Sequence, residues 1–83
     1  MKIALLGYGK TTKAISKKYK CDIFDDNVVS SFQDENNNTV YPSKEFKNIK
    51  SDIQIPSPGI PPANELIKQS NNVMSDYDFF KFL

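Results

Sequence analysis

The sequence has 83 residues, with 11 lysines against 10 acidic side chains and a formal net charge of +1. A chain this short folds as one small domain that buries roughly 60% of its unfolded surface. A charge so close to zero, without arginine, leaves no field aimed at nucleic acid or a membrane and no bidentate grip on phosphate. Histidine is also absent, which removes the commonest general base and metal ligand. The single Cys21 excludes an internal disulfide framework and fits a reducing compartment. The apolar start is too short for a signal peptide and no stretch reaches membrane-spanning length, so a cytoplasmic protein is expected.

Ile3, Ala4, Leu5 and Leu6 form an unbroken apolar run that ends in a glycine turn. A strand covered by helices on both faces reads this way, because it needs no alternation. Gly7-Tyr8-Gly9 then follows the opening of the dinucleotide fingerprint Gly-x-Gly-x-x-Gly. Gly7 permits the sharp exit from the strand, and Gly9 lets the backbone approach a pyrophosphate. The helix start beyond them favours an anion. Thr12 stands where the third glycine belongs, the position that normally packs helix against strand, which argues against standard dinucleotide geometry.

Lys10–Lys20 reads as a helix with Thr11, Ala14, Ile15 and Tyr19 inward and Lys13, Lys17 and Lys20 in solvent. Its lysines are a solvated face, since acids elsewhere cancel their field. Lys10 is the exception, at the helix start beside the proposed phosphate. Cys21–Asp26 reads as a second strand ending in two carboxylates. Asp25 lies about one βα unit beyond the glycine turn, where nucleotide-binding folds place an acid that accepts from a ribose or base. The plain alternative is a strand-end turn. A metal is disfavoured at Asp25 and Asp26, for want of a histidine and a third ligand.

Ser31-Phe32-Gln33 and Thr39-Val40-Tyr41 flank the polar cluster Asp34–Asn38, the pattern of a loose hairpin. Pro42-Ser43 opens a helical turn through Phe46, with Ser43 as N-cap. Ser51–Ile55 is the next strand, followed by Pro56-Ser57-Pro58-Gly59-Ile60-Pro61-Pro62, a stiff loop expected beside the glycine turn at the carboxyl edge of the sheet. Pro61-Pro62 suits a helix start, with Leu66 and Ile67 directed inward over Ala63–Ser70. Val73-Met74 reads as a short last strand. The aromatic ending Asp76–Leu83 either fills the core from a terminal helix or meets a neighbouring domain or second copy. A domain boundary is expected at or just beyond Leu83. The fold class that results is α/β, a Rossmann-like three-layer domain with a mostly parallel sheet, spanning residues 1–83 as one unit.

Gly7-Tyr8-Gly9-Lys10-Thr11-Thr12, Asp25-Asp26, Pro56-Ser57-Pro58-Gly59-Ile60 and Ser75-Asp76-Tyr77-Asp78-Phe79-Phe80, in that order, resemble the N-terminal domain of the Mur ligases. The resemblance runs from Met1 to about Phe80. It implies the substrate-holding part of an ATP-dependent amide ligase of peptidoglycan synthesis, with UDP-N-acetylmuramoyl-L-alanine as substrate and D-glutamate as the incoming amine. It further implies that Gly9, Lys10 and Thr11 present N–H groups to the diphosphate and that Asp25, Asp26 and Asn27 surround the uracil. Ser57, Pro58 and Gly59 would close over the nucleotide. Relatives often carry glycine at the Thr12 position, and threonine or arginine where Asp26 and Asn27 stand.

ATP and Mg2+ would belong to the remaining ligase domains. Only three glycines are present, Gly7, Gly9 and Gly59, so a Gly-x-x-x-x-Gly-Lys-[Ser/Thr] loop for ATP is impossible here. These residues are expected to bind and not to turn over. Two other readings stay open: the NAD(P)-binding domain of a dehydrogenase, and a freestanding nucleotide-sensing module.

Overall fold

All four residues of the apolar run are buried and form the central strand β1 (Ile3–Leu6). The computed structural model describes residues 1–82, and at Phe82 the backbone alone. Helix α1 (Lys10–Lys18) leads to β2 (Cys21–Asp25), followed by the two-residue β3 (Phe32–Gln33) and then β4 (Thr39–Pro42). A 3-10 helix (Ser43–Asn48), β5 (Ile53–Pro56), α2 (Glu65–Lys68) and α3 (Asp76–Phe82) complete the order. The sheet runs β3-β4-β2-β1-β5. The β1–β2, β1–β5 and β2–β4 pairs are parallel, and β3 alone is antiparallel, at the edge beside β4.

Alternation along the buried strands divides the core between two faces. Ile3, Leu5, Ile23, Ile53 and Ile55 pack with Ile15 of α1 and Phe79 of α3. Ala4, Leu6 and Phe24 pack with Phe46 of the 3-10 helix and Leu66 of α2. The result is the expected Rossmann-like α/β domain with helices on both faces. Phe79 is fully buried and meets Tyr19 edge-on, with ring centroids 5.4 Å apart. The terminal helix therefore does fill the core, whereas Tyr77 and Phe80 remain exposed. The expectations for Leu83 and for the Phe82 side chain lie outside the described residues.

Ile15 turns inward and Lys13, Lys17 and Lys20 lie in solvent as expected, with Tyr19 packed against the core, but the buried face of α1 departs from the expected one at Ala14. Thr12, Ile15 and Ser16 are buried while Ala14 is exposed. Polar side chains can face inward here because their hydroxyls find backbone partners, and Ser16 Oγ donates to the Lys13 carbonyl at 2.8 Å. Tyr19 is the C-cap of this helix. Ser43 is not an N-cap, since Pro42 holds that place. Pro61 and Pro62 lie in the loop ahead of α2, where Asn64 caps instead by accepting from the Leu66 N–H at 2.8 Å. Val73 makes only an isolated parallel bridge to Gln54.

The hairpin closes as expected, but its tip also belongs to the core. The β3 strand carries the chain back to the amino edge of the sheet, so β4 can lie parallel to β2 without a crossover helix. There Asn38 is 1% exposed. Its amide donates to the Ser16 carbonyl at 2.8 Å and its side-chain oxygen accepts from the Cys21 N–H at 3.1 Å. One side chain thus ties the end of α1 and the start of β2 to the hairpin. Asn38→Ala leaves two buried backbone groups without these partners, and a loss of about 2–4 kcal/mol is expected. Urea denaturation measures it, and a loss under about 0.5 kcal/mol, the scale of a neutral surface change, would refute the role.

Candidate ligand crevice at the sheet switch point

From β1 the chain winds through α1 to β2 on one side, then returns to β5 on the other side of β1. The reversal puts a topological switch point at the carboxyl ends of β1 and β5, where open α/β sheets receive ligands. Three segments meet at this rim: the glycine turn after β1, the Asp25–Asn27 turn after β2, and the proline loop after β5.

Gly7 leaves the strand at φ +89°, a region that favours glycine. A Cβ there would also stand 2.9 Å from Ile60 Cδ1 and 3.2 Å from Ser57 Cβ. The Gly7 N–H donates to the Phe24 carbonyl at 2.6 Å. The next amide, of Tyr8, donates to Asp25 Oδ2 at 2.7 Å, and the Gly9 N–H donates to Thr12 Oγ1 at 2.9 Å. Lys10, Thr11 and Thr12 are the first residues of α1 whose N–H groups find no protein acceptor among the described residues. Of the amides expected to meet a diphosphate, those of Lys10 and Thr11 are open, and that of Gly9 already has an internal partner.

The proline loop is docked directly on this turn. Ser57 N–H donates to the Leu6 carbonyl at 2.7 Å, and Ile60 N–H to the Ser57 carbonyl at 3.0 Å. Ser57 Oγ sits 2.8 Å from where a Gly9 Cβ would be, so the lack of a side chain at Gly9 is what admits the serine. Pro58 and Gly59 are exposed, and a Cβ on Gly59 would meet nothing within 4 Å. The three predicted loops are therefore brought together, with Ser57 in contact with the turn and Pro58 and Gly59 outermost.

The two aspartates take separate parts. Besides the Tyr8 amide, Asp25 accepts from the Asn27 N–H through Oδ1 at 2.8 Å, so its carboxylate holds both the glycine turn and its own. Each of its oxygens keeps a lone pair for another donor. Asp26 accepts from the Ser43 hydroxyl and from Asn64 Nδ2, the latter at 3.0 Å. Those bonds stitch the second turn to the 3-10 helix and to the segment before α2. Asn27 is exposed beside them. Sequence reasoning missed Ser43 and Asn64 as rim supports. Only Asn64 carried a signal, as an asparagine directly before the acid that opens a helix.

Tyr8 lies half-buried against the core face of α1, with Lys13 Nζ 4.6 Å from its ring centroid. Burial, then the nearby Asp34 carboxylate, raises its phenol above the ordinary value. No group of three or more acid or cysteine side chains converges as a metal would need among the described residues. A concavity of about 730 Å³ opens elsewhere, between Lys2, Phe46, Ile49 and Lys50. It is remote from the rim, and its Asp52 carboxylate and Gln54 amide are already bonded within the protein.

Sheet order and rim together define a Rossmann-like α/β domain with a glycine turn at its switch point. Curated relatives carry the definition further. The chain is 46% identical over 85 positions to the UDP-N-acetylmuramoylalanine--D-glutamate ligase of Campylobacter jejuni (strain RM1221), covering 96% of this chain and 21% of that one. It is 40% identical over 88 positions to the ligase of the same name from Helicobacter pylori (strain ATCC 700392 / 26695), covering 100% and 21%. No protein-family model matches the chain, and no solved structure matches it. Along nearly its whole length the chain matches the N-terminal portion of these UDP-N-acetylmuramoylalanine--D-glutamate ligases, and it spans about a fifth of the length of the curated relatives it matches.

Hydrogen bonds from Ser43 and Asn64 hold the Asp26 carboxyl below its ordinary value of 3.8. A depressed folded-state value means that the stabilisation is present above the unfolded-state value and is lost as pH falls through the folded one. Asp26→Ala should therefore melt below wild type at pH 7, with the gap closing as both are acidified below the ordinary carboxyl value of 3.8. A gap that stays constant in thermal melts across that range would count against the linkage.

Proposed function

We propose that these residues hold the uridine diphosphate end of UDP-N-acetylmuramoyl-L-alanine for an ATP-dependent ligase that adds D-glutamate to it. The observation that carries the reading is the docking of Ser57 on Gly9 beside the open Lys10 and Thr11 amides. Backbone donors at a helix start meet the diphosphate there, with the Lys10 ammonium as added positive charge. A uracil ring N–H is offered the remaining lone pairs of Asp25 and Asp26, near Asn27. Ser57, Pro58 and Gly59 close the outer side.

Activation of the substrate carboxyl by ATP and Mg2+ falls, in this proposal, to parts of the ligase beyond these residues. The three glycines Gly7, Gly9 and Gly59 leave nothing to cradle a triphosphate. The 83 residues by themselves bind and do not catalyse. Their setting is cytoplasmic, where the nucleotide-linked precursor is soluble. No helix among the described residues is long and apolar enough to cross a membrane. Contact with the other ligase domains through the exposed Tyr77 and Phe80 belongs to the same proposal.

Titration of the 15N-labelled chain with UDP-N-acetylmuramoyl-L-alanine and, separately, with NADH tests the reading. The muramoyl nucleotide alone should shift amides of Lys10, Thr11, Asp25 and Ser57. Shifts produced only by NADH would replace the ligase reading with a dehydrogenase one. Asp25→Ala should weaken the muramoyl nucleotide by about 1–3 kcal/mol through loss of a bonded acceptor, and an unchanged dissociation constant would move the uracil elsewhere. Gly9→Val should retain the fold, since Gly9 sits at an ordinary φ of −102°, yet fill the crevice against Ser57. Ligand-induced thermal stabilisation in that variant would contradict the placement.

A further inference from the structure

Thr12 is the one rim-forming side chain with no exposed surface at all, and it occupies the position that the glycine fingerprint reserves for its third glycine. Its hydroxyl lies 2.7 Å from the Gly7 carbonyl and 3.1 Å from the Gly9 carbonyl, and 2.9 Å from the Gly9 N–H. A hydroxyl has one proton. The shorter contact takes it to Gly7, and the Gly9 carbonyl is already the acceptor of the Lys13 N–H at 2.9 Å. The oxygen is thereby left to accept from Gly9. A glycine at position 12 has no side chain with which to do this, so the Gly9 amide would then be open to a ligand.

From this geometry we infer that Thr12 is a positioning residue that sets which amides receive the diphosphate. The three amides of the turn are committed internally: Gly7 to the Phe24 carbonyl, Tyr8 to Asp25 and Gly9 to Thr12. The anion is displaced one residue along the chain, onto Lys10 and Thr11, and the Gly9 contribution is its bare Cα surface beside Ser57. The inference rests on the uridine diphosphate reading above and deepens it by naming the donors and the side chain that selects them.

UDP and inorganic pyrophosphate, titrated into the 15N-labelled wild-type chain and into Thr12→Val and Thr12→Ser, test it. In wild type the Lys10 and Thr11 amides should move furthest, while the Gly9 N–H stays protected from hydrogen exchange with and without ligand. Thr12→Val keeps the shape but not the hydroxyl, and should weaken UDP about tenfold or more. Thr12→Ser should restore affinity to within about twofold, because the paired groups are again satisfied. Equal UDP affinity in wild type and Thr12→Val, or a Gly9 N–H that UDP itself engages in wild type, overturns the inference. The wild-type amides decide the matter if Thr12→Val fails to fold. A wild-type chain that responds to pyrophosphate and not to UDP removes the uridine reading, and the same amides still judge Thr12. Silence toward both removes the anion site and the inference together.

Discussion

The exit from β1 is the constraint on which the rim depends. The chain must leave the sheet within two residues, and the Asp25 carboxylate holds it there by accepting the Tyr8 amide at 2.7 Å. Asp25 is available at that point only because β1 and β2 pair with Leu6 opposite Phe24. A slip of one residue would turn Asp25 to the other face of the sheet and leave the Tyr8 amide without its partner. The register of two buried strands therefore sets the shape of a surface feature. The same logic holds on the other side of β1, where Leu6 stands opposite Pro56 and the following Ser57 bonds back to Leu6.

The two helical layers are unequal. One face has α1 and α3, while the other has a 3-10 helix and the four-residue α2. A helix of that length does not hold itself together, so α2 relies on the Asn64 cap and on Leu66 buried beneath it. The weaker layer is compensated by rings: Phe24 stacks on Tyr41 at 5.3 Å and meets Phe46 edge-on at 5.1 Å. Asn64 joins this layer to the rim, because its side chain caps α2 through the oxygen and reaches Asp26 through the nitrogen.

Much of this was legible in the sequence because burial on both faces writes itself as unbroken apolar runs. Ile3–Leu6, the alternating Ile53 and Ile55, and the glycine turn between a strand and a helix located the sheet and the edge to which Asp25 and Ser57 belong. What was not legible was polar burial. Nothing in a run of three asparagines marks Asn38, and not Asn36 or Asn37, as the one enclosed by the Ser16 carbonyl and the Cys21 amide. The inward face of α1 departs from the apolar pattern at Thr12, Ala14 and Ser16 for the same reason. Alanine is more apolar than threonine or serine, yet Thr12 and Ser16 face the protein because backbone acceptors lie within their reach and Ala14 has none to seek. Proline gave a false helix start at Pro61, since its fixed φ suits a turn as well as a first helical residue, whereas the local asparagine bond at Asn64 settled the true one.

Cys21 sits at the first position of β2, opposite Ile3. Burial, followed by the Asp34 and Asp22 carboxylates, pushes its thiol up to about 12. Thiolate is the species that alkylates and oxidises, so the native sulfur is chemically silent at neutral pH. A second cysteine introduced at an exposed site, such as the tip of the proline loop, would then be the only one to react with a maleimide dye. The chain can carry a single fluorophore at its rim without first being stripped of its own sulfur.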